Sequence, residues 1–171
     1  MPFSELLLPE YDEEIKNTRK LLECMPDGKF EYQPHGKSMT LGRLATHVAE
    51  LPGWGSMTLD REVLELQPGF KPHIAATRAE LLETFDQKAA EARARIAAAS
   101  DEDWAKTWTF KYDGKAVFSM PRSVVMRSTV MNHLIHHRAQ LGVYLRLNDV
   151  EIPGMYGPSA DEAKVWQAAA A

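Results

Sequence analysis

The chain has 171 residues and a formal net charge of -4, with 20 Lys and Arg against 24 Asp and Glu. Its 44% hydrophobic and 26% charged fractions are typical of a soluble globular protein, and they exclude collagen-like, globally disordered and disulfide-scaffold proteins. The length fits one domain over residues 1–171.

Charge and hydropathy exclude further classes of protein. A pI near 5.9 argues against a nucleic-acid-binding surface, because phosphate binding requires clustered Lys and Arg. The sequence has no apolar run long enough to span a membrane, and its N-terminus lacks the pattern of a signal peptide. Cys24 is the only cysteine, and we expect it to pack at the end of the first helix rather than to act as a reactive thiol. These features predict a cytoplasmic protein without nucleic-acid or membrane partners.

Two helices are predicted in the first part of the chain. The first runs from about Pro9 to Met25 and is stopped by Pro26-Asp27-Gly28. The second begins at an N-cap, Ser38 or Thr40, and continues to about Leu66. We expect a kink or a short break at Pro52, because proline cannot donate a hydrogen bond to the preceding turn.

Two further helices flank a hairpin. The third helix is capped by Thr77 and runs to about Ala99, and a short turn follows at Glu102 to Lys106. Between Trp108 and Phe118, strand-forming residues surround the turn dipeptide Asp113-Gly114, which indicates a β-hairpin. The fourth helix opens near Pro121 and runs to about Leu147.

The number and length of these helices predict the fold class. Four long helices and one small hairpin before the last of them favour an all-α four-helix bundle. The tail from Asn148 is expected to wrap over the bundle and to end in one last helical turn from Ser159 to Gln167.

Three histidines lie on predicted apolar helix faces. His133 and His137 are four residues apart on the fourth helix, so their Cβ atoms are about 5–6 Å apart on one face. His47 lies on the second helix, in line with Leu44 and Leu51. Three imidazoles therefore point from two helices toward one interior, where their ring nitrogens can converge on a metal ion. The alternative is that they are core histidines with hydrogen-bond partners.

Two known metal motifs do not fit this pattern. The residues between His133 and His137 lack the Glu of the H-E-x-x-H metalloproteases. No histidine has Glu three residues before it, as a di-iron centre would require. The pattern favours a mononuclear histidine site, with His136 flanking it or facing solvent, and with His35 and His73 in surface loops.

The sequence resembles the DinB-like (DinB/YfiT) metalloenzyme family. The segments that carry the resemblance are LATHVAE (44–50), NHLIHHRAQL (132–141), YLR (144–146) and IPGMYGPSADE (152–162). Their order and spacing match that family along nearly the whole chain, from the first helix to about Glu162. The H-x(3)-H-R-x-Q piece is moderately specific alone and becomes strong with the upstream histidine and the tail.

The resemblance implies a four-helix bundle with up-down-down-up connectivity and a homodimeric assembly. It also implies that one divalent metal ion, Zn²⁺ or Ni²⁺, is bound by His47, His133 and His137. Members of this family include mycothiol-dependent maleylpyruvate isomerase and transferases that use bacillithiol or glutathione, while many others have no known reaction. The resemblance therefore implies a small-molecule substrate and a low-molecular-weight thiol as partners.

Other residues are candidates for supporting the site. They are Glu50, Asn132, Arg138, Gln140 and Tyr144, of which Glu50, Arg138 and Tyr144 are the main ones. Each has a simpler alternative: Glu50 as a solvated charge, Arg138 in a salt bridge between helices, and Tyr144 in the core. Trp54 either lines a pocket or packs among other aromatic residues.

Two functions stay open at this point. One is a metal-dependent enzyme, either a thiol S-transferase or a hydrolase acting on a small substrate, because three histidines leave a coordination position open. The other is a non-catalytic metal-binding or ligand-binding bundle, in which the histidine site is structural or vestigial.

Overall fold

The computed structural model describes residues 1–163, and this part of the chain is mainly helical with one small sheet. The helices are α1 (Phe3–Glu23), α2 (Leu41–Asp60), α3 (Arg78–Ala98), α4 (Asp101–Ala105), α5 (Arg122–Val125) and α6 (Asn132–Arg146). The strands are β1 (Val63–Leu66), β2 (Thr107–Tyr112) and β3 (Lys115–Pro121). A 3₁₀ turn spans Asp27–Lys29, and a π-helical turn spans Met126–Met131.

Helix α1 begins earlier than its sequence predicts. It starts at Phe3 instead of Pro9 and ends at Glu23, with Pro9 inside it. Leu7 and Tyr11 are one helical turn apart and both are buried, at 2% and 1% exposure. Burial of this pair outweighs the one backbone hydrogen bond that Pro9 cannot make, so the helix extends through the proline.

Helix α2 has the predicted N-cap but a different end. The Thr40 hydroxyl accepts a hydrogen bond from the Arg43 backbone N–H at 3.2 Å. The helix passes Pro52 without a break and ends at Asp60 rather than Leu66. Residues Val63–Leu66, predicted as the end of this helix, form β1 instead.

The sheet contains the predicted hairpin and one additional strand. Strands β2 and β3 are antiparallel, and Asp113 and Gly114 adopt φ values of 49° and 74°, as the turn between them requires. Strand β1 pairs with β2 in parallel and completes the order β1-β2-β3.

Helix α3 matches its predicted bounds closely. The Thr77 hydroxyl accepts a hydrogen bond from the Glu80 backbone N–H at 3.2 Å. The buried face of α3 packs against α1 and α2, and it consists of Leu81, Phe85, Ala89, Ala92 and Ile96. The predicted short turn is α4, whose N-terminus has a capping box between Ser100 and Asp103.

The predicted fourth helix is one helical run over residues 122–146, made of α5, the π-helical turn and α6. The π-helical turn was not predicted, and it ends two residues before His133. Such turns often occur next to functional sites. The predicted turn at Ser159 begins with a hydrogen bond from the Ala163 N–H to the Ser159 carbonyl, and residues 164–167 of that prediction lie outside the described residues.

The core consists of two hydrophobic clusters. One lies between α1, α2, α3 and α6, and the other surrounds Trp104 between the N-terminal half of α1, the end of α3 and the π-helical turn. Because α2 packs on both α3 and α6, the histidines of α2 and α6 are brought to a shared boundary. The up-down-down-up connectivity stays a prediction. Within residues 1–163, no helix combines the length and the apolar character needed to cross a bilayer.

Candidate metal centre

Helices α2 and α6 bring His47, His133 and His137 together. The ring centroids of His47 and His133 are 5.0 Å apart, and those of the other two pairs are each 4.7 Å apart. One ligand atom from each ring lies within 4.8 Å of the other two, so a single ion can be reached by all three. These are the three residues selected by spacing in the sequence.

The distance between two of the nitrogens suits a tetrahedral ion. The Nε2 atoms of His47 and His133 are 3.2 Å apart. With metal–nitrogen bonds of about 2.0–2.1 Å, tetrahedral angles place two ligand nitrogens about 3.3 Å from each other. The donor set and this spacing therefore fit a zinc-like site.

Two of the imidazoles are held with Nε2 free to bind. The Nδ1–H of His133 donates to the Thr129 carbonyl at 3.2 Å, and the Nδ1–H of His137 donates to the Gln140 side-chain oxygen at 2.7 Å. A hydrogen bond donated by Nδ1 fixes the tautomer with the proton on Nδ1, so Nε2 keeps the lone pair that a metal ion needs. Both rings are therefore oriented as metal ligands by a residue of the same helical run.

Electrostatics keep the cluster neutral. Burial, followed by the neighbouring charges of His137, His133 and Arg43, lowers the pKa of His47 from 6.5 to about 3. Burial is also the main reason that the pKa values of His133 and His137 are lowered. Because an imidazole binds metal only when deprotonated, all three are ready ligands at neutral pH.

A cleft of about 720 Å³ opens beside His47. Its walls come from α2, β1, α3 and the segment between β1 and α3. The apolar lining residues are Trp54, Met57, Leu64, Leu66, Phe70 and Pro72. Trp54 also contacts the His133 ring edge-on at 6.0 Å between centroids, so the aromatic wall of the cleft continues to the histidine cluster. This volume suits a small-molecule ligand.

The predicted supporting residues have different surroundings in the structure. Glu50 is half-buried and lines the cleft, but its carboxylate forms no hydrogen bond or ion pair with any residue of the described range. Gln140 holds His137, as described above, whereas Asn132 is exposed. Tyr144 packs edge-on against Tyr32 at 6.3 Å in the first hydrophobic cluster, which matches its alternative as a core residue.

Arg138 forms a salt bridge between helices, which is the simpler of its two predicted roles. Its guanidinium forms an ion pair with Glu14 at 2.6 Å, and the two side chains are only 3% and 8% exposed. It also donates to the Thr18 hydroxyl and to the Tyr156 hydroxyl, which in turn donates to Glu14. Arg138 points from α6 to α1 and the tail because the buried Glu14 carboxylate needs a compensating charge.

The remaining histidines lie around or away from the cluster. His136 is exposed, and its ring stands 4.8 Å from that of His137. His73 and His35 are exposed in loops, where His73 pairs with Glu80 at 2.6 Å and His35 accepts from the Lys37 N–H. These positions agree with the sequence expectations for all three.

Two contributors to the site were not predicted from the sequence. Arg43 lines the cleft, and it lies four residues before His47, a spacing that could have identified it. The Thr129 carbonyl lies four residues before His133, but a backbone oxygen leaves no signal in residue types.

Comparisons with known proteins agree with this fold. The chain is 24% identical over 155 residues to a Bacillus subtilis (strain 168) protein named "Uncharacterized protein YrdA", covering 91% of this chain and 89% of that protein. The structure is similar to a DinB-like protein from Bacillus cereus ATCC 10987, with a TM-score of 0.68, 20% identity and coverage of 91% and 98% of the two chains. A DinB-like protein from Bacillus subtilis, YjoA, matches with a TM-score of 0.66, 15% identity and coverage of 88% and 97%.

The structural likenesses show a shared fold, since their sequence identities are low. The sequence model described as "DinB family" matches residues 1–168, nearly the full length of the chain. The protein therefore belongs to the DinB family.

Proposed function

We propose that this protein is a cytoplasmic metal-dependent enzyme that acts on a small molecule, as a thiol S-transferase or a hydrolase. The observation that carries the proposal is the convergence of three neutral imidazoles, two of them oriented through Nδ1, beside a cleft of small-molecule size. A Zn²⁺ or Ni²⁺ ion held by His47, His133 and His137 supplies Lewis acidity, which polarises an electrophile and favours ionisation of a thiol.

The protein's own residues would perform the other tasks. Thr129 and Gln140 hold the ligand rings, so that little reorientation is needed when the ion binds. Trp54 and the apolar lining of the cleft would provide an apolar wall on the face next to His133. Glu50, a carboxylate without a protein partner among residues 1–163, is available in the cleft to accept a proton.

The thiol of a transferase reaction would come from outside the protein. Cys24 is the only cysteine in the sequence, and its Sγ donates to the Lys20 carbonyl at the end of α1. Burial raises the pKa of its thiol, which makes Cys24 a poor nucleophile. A low-molecular-weight thiol is therefore the nucleophile that the proposal requires.

The alternative is a bundle that binds a metal or a ligand without catalysis. Structural zinc sites are usually closed by four protein ligands, whereas catalytic sites keep a position open. The metal-ligating group found among residues 1–163 consists of three histidines, which favours the enzyme.

Elemental analysis combined with a thiol-transfer assay tests the proposal. The purified wild type should hold about one divalent ion per chain, and His47→Ala and His133→Ala should lose it. His136→Ala is the matched control, because His136 stands beside the cluster without belonging to it. Transfer of bacillithiol or glutathione to 1-chloro-2,4-dinitrobenzene should stop on chelation and return with zinc.

Two results would contradict the proposal. Equal metal content in the wild type and in the His47→Ala and His133→Ala variants would show that these histidines do not bind the metal. Full metal loading without turnover across a panel of thiols and hydrolysable esters would favour the non-catalytic alternative.

We also propose that the protein is a homodimer. Val143 and Leu147 are exposed on α6 and the turn that follows it, beside an apolar groove of about 490 Å³. Sedimentation should give a species of twice 19.3 kDa, and a species near 19.3 kDa at working concentration would contradict a dimer.

A further inference from the structure

Arg43 is a cation without a partner at the edge of the histidine cluster. It lies one turn before His47 on α2, and both residues line the cleft. Its Nη1 atom is buried and has no hydrogen-bond partner, and no nitrogen of its guanidinium donates to a residue within 1–163. Leaving a buried guanidinium N–H unpaired is unfavourable, so this arrangement calls for an acceptor that the protein itself does not provide.

Apart from Arg61, every other arginine of residues 1–163 makes at least one side-chain hydrogen bond or ion pair. Six of them pair with carboxylates, namely Arg19, Arg93, Arg95, Arg127, Arg138 and Arg146. Arg78 donates to the Glu23 carbonyl, and Arg122 donates through Nη2 to the Arg61 carbonyl, although its buried Nε has no partner. Arg61 also lines the cleft, but it is exposed and can be hydrated. Arg43 differs from all of these because it is partly buried, unpaired and next to the proposed metal ligands.

The surroundings of Arg43 leave its charge uncompensated. Its positive charge contributes to the lowered pKa values of both His47 and His137, which places it electrostatically close to both rings. Three neutral imidazoles offer no counter-charge. Lys88 also lines the cleft without an ion pair, but its ammonium keeps contact with water. An anionic group is therefore the natural occupant of the position beside Arg43.

The other lining residues of the cleft indicate the chemical character of the rest of the ligand. Its wall is apolar and aromatic, with Trp54, Leu64 and Phe70 among the lining residues. Asp60 lies at the far end of the cleft, where it forms an ion pair with Arg95. Arg43 and Asp60 are 17 positions apart on α2, which corresponds to about 25 Å along the helix axis. The Glu50 carboxylate, which has no partner within residues 1–163, lies seven positions after Arg43 on α2, about 10 Å along the helix axis, and would repel a second negative charge there. A single anionic head with an apolar body therefore fits best.

We propose that Arg43 anchors the carboxylate of the substrate, a small organic acid with an apolar or aromatic body. This inference rests on the proposed function, because it assigns the substrate class of the same site. A guanidinium binds a carboxylate through two parallel N–H donors, which a lysine cannot reproduce. Arg43 would hold the acid beside His47, with its apolar body against Trp54.

Calorimetric binding of two matched probes tests the assignment. 3-Phenylpropionate and its neutral analogue 3-phenylpropanamide share one shape and differ in charge. Wild-type protein should bind the acid about tenfold more tightly than the amide, since a charge-assisted bond to the guanidinium is gained. Arg43→Gln should lose this preference, and Arg43→Lys should keep part of it. Arg93→Gln is the control, because Arg93 is an exposed arginine that pairs with Asp12 and does not line the cleft, and it should behave as the wild type.

Each titration is repeated with metal-free and zinc-loaded protein, since a carboxylate can also bind the ion. A preference for the acid that persists without metal and requires Arg43 supports the assignment. The assignment is overturned if the wild type binds acid and amide equally or binds neither, or if Arg43→Gln and Arg43→Lys both bind the acid as the wild type does. Metal content is measured separately, so loss of the metal site and loss of the anion site remain distinguishable results.

Discussion

The Nε2 atoms of His47 and His133 lie 3.2 Å apart, although 86 positions separate the two residues in the chain. His133 donates through Nδ1 to Thr129, so the short contact consists of a His47 N–H that donates to the His133 lone pair. To bind a divalent ion through both Nε2 atoms, His47 would move this proton to its Nδ1 and stay neutral. The packing of α2 on α6 thus creates a site that is neutral without metal and needs little rearrangement to bind it.

Gln140 should strengthen zinc binding without contributing to the stability of the fold. Its side-chain oxygen holds His137 at 2.7 Å, and the residue is exposed. We expect Gln140→Leu to weaken zinc binding about 10–100-fold, because the His137 ring loses the partner that fixes its tautomer. Competition with a chromophoric chelator measures this change.

Gln87→Leu provides the matched control for that experiment. Gln87 is also an exposed helical glutamine with a side-chain partner, Glu91, but it lies on α3. Zinc affinity should be unchanged in this variant. Equal affinities in Gln140→Leu and the wild type would show that the hydrogen bond to His137 is not needed for binding.

Arg138→Met should destabilise the fold while leaving metal binding intact. The substitution leaves the Glu14 carboxylate buried without its partner, for which we expect a loss of about 3–5 kcal/mol in the free energy of unfolding. Urea denaturation measures the loss. The exposed pair of Arg93 and Asp12 offers a control, since Arg93→Met should cost less than about 1 kcal/mol. Loss of zinc from a folded Arg138→Met protein would instead show that Arg138 supports metal binding.

Features set by nearby residues could be predicted from the sequence. The caps Thr40 and Thr77 act on backbone groups three residues away, and Asp113-Gly114 carries the left-handed backbone of its own turn. The spacing of His133 and His137 fixes their common face, and His47 follows from its own apolar stripe. Local chemistry therefore sufficed for the starts of α2 and α3, the hairpin and the histidine cluster.

Features that depend on distant partners could not be predicted in this way. Residues Val63–Leu66 form a strand because β2, far along the chain, pairs with them, and in isolation they extend the preceding helical pattern. Arg138 resembles a site residue in the sequence because it follows His137, and only the position of Glu14 on α1 reveals its buried ion pair. Pro9 lies inside a helix because Leu7 and Tyr11 find a core to pack against.

Cys24 should react slowly with thiol reagents in the folded protein. Burial raises the pKa of its thiol, and Glu23 adds to this shift, so less thiolate is present at pH 8 than in a free cysteine. We expect maleimide labelling to be several-fold slower than for the urea-unfolded chain, with a rate that still rises above pH 9. Equal labelling rates in the folded and unfolded states would show that the thiol is accessible and unperturbed.

The metal-free fold should lose stability in acid because of its histidines. The pKa of His47 is about 3 in the folded state against an ordinary value of 6.5, so between these values the unfolded chain binds a proton that the folded chain does not. The contribution of His47 is therefore present above pH 6.5 and is lost as the pH falls toward 3, by at most about 1.4 kcal/mol per pH unit.

The melting temperature of chelated protein at pH 7, 6 and 5 measures this loss, and His47→Gln is the reference because it lacks the titrating group. The wild type should show the steeper decline, and zinc should raise its melting temperature at pH 7 more than that of the variant. Parallel declines would mean that His47 titrates near its ordinary pKa and is not desolvated by the cluster.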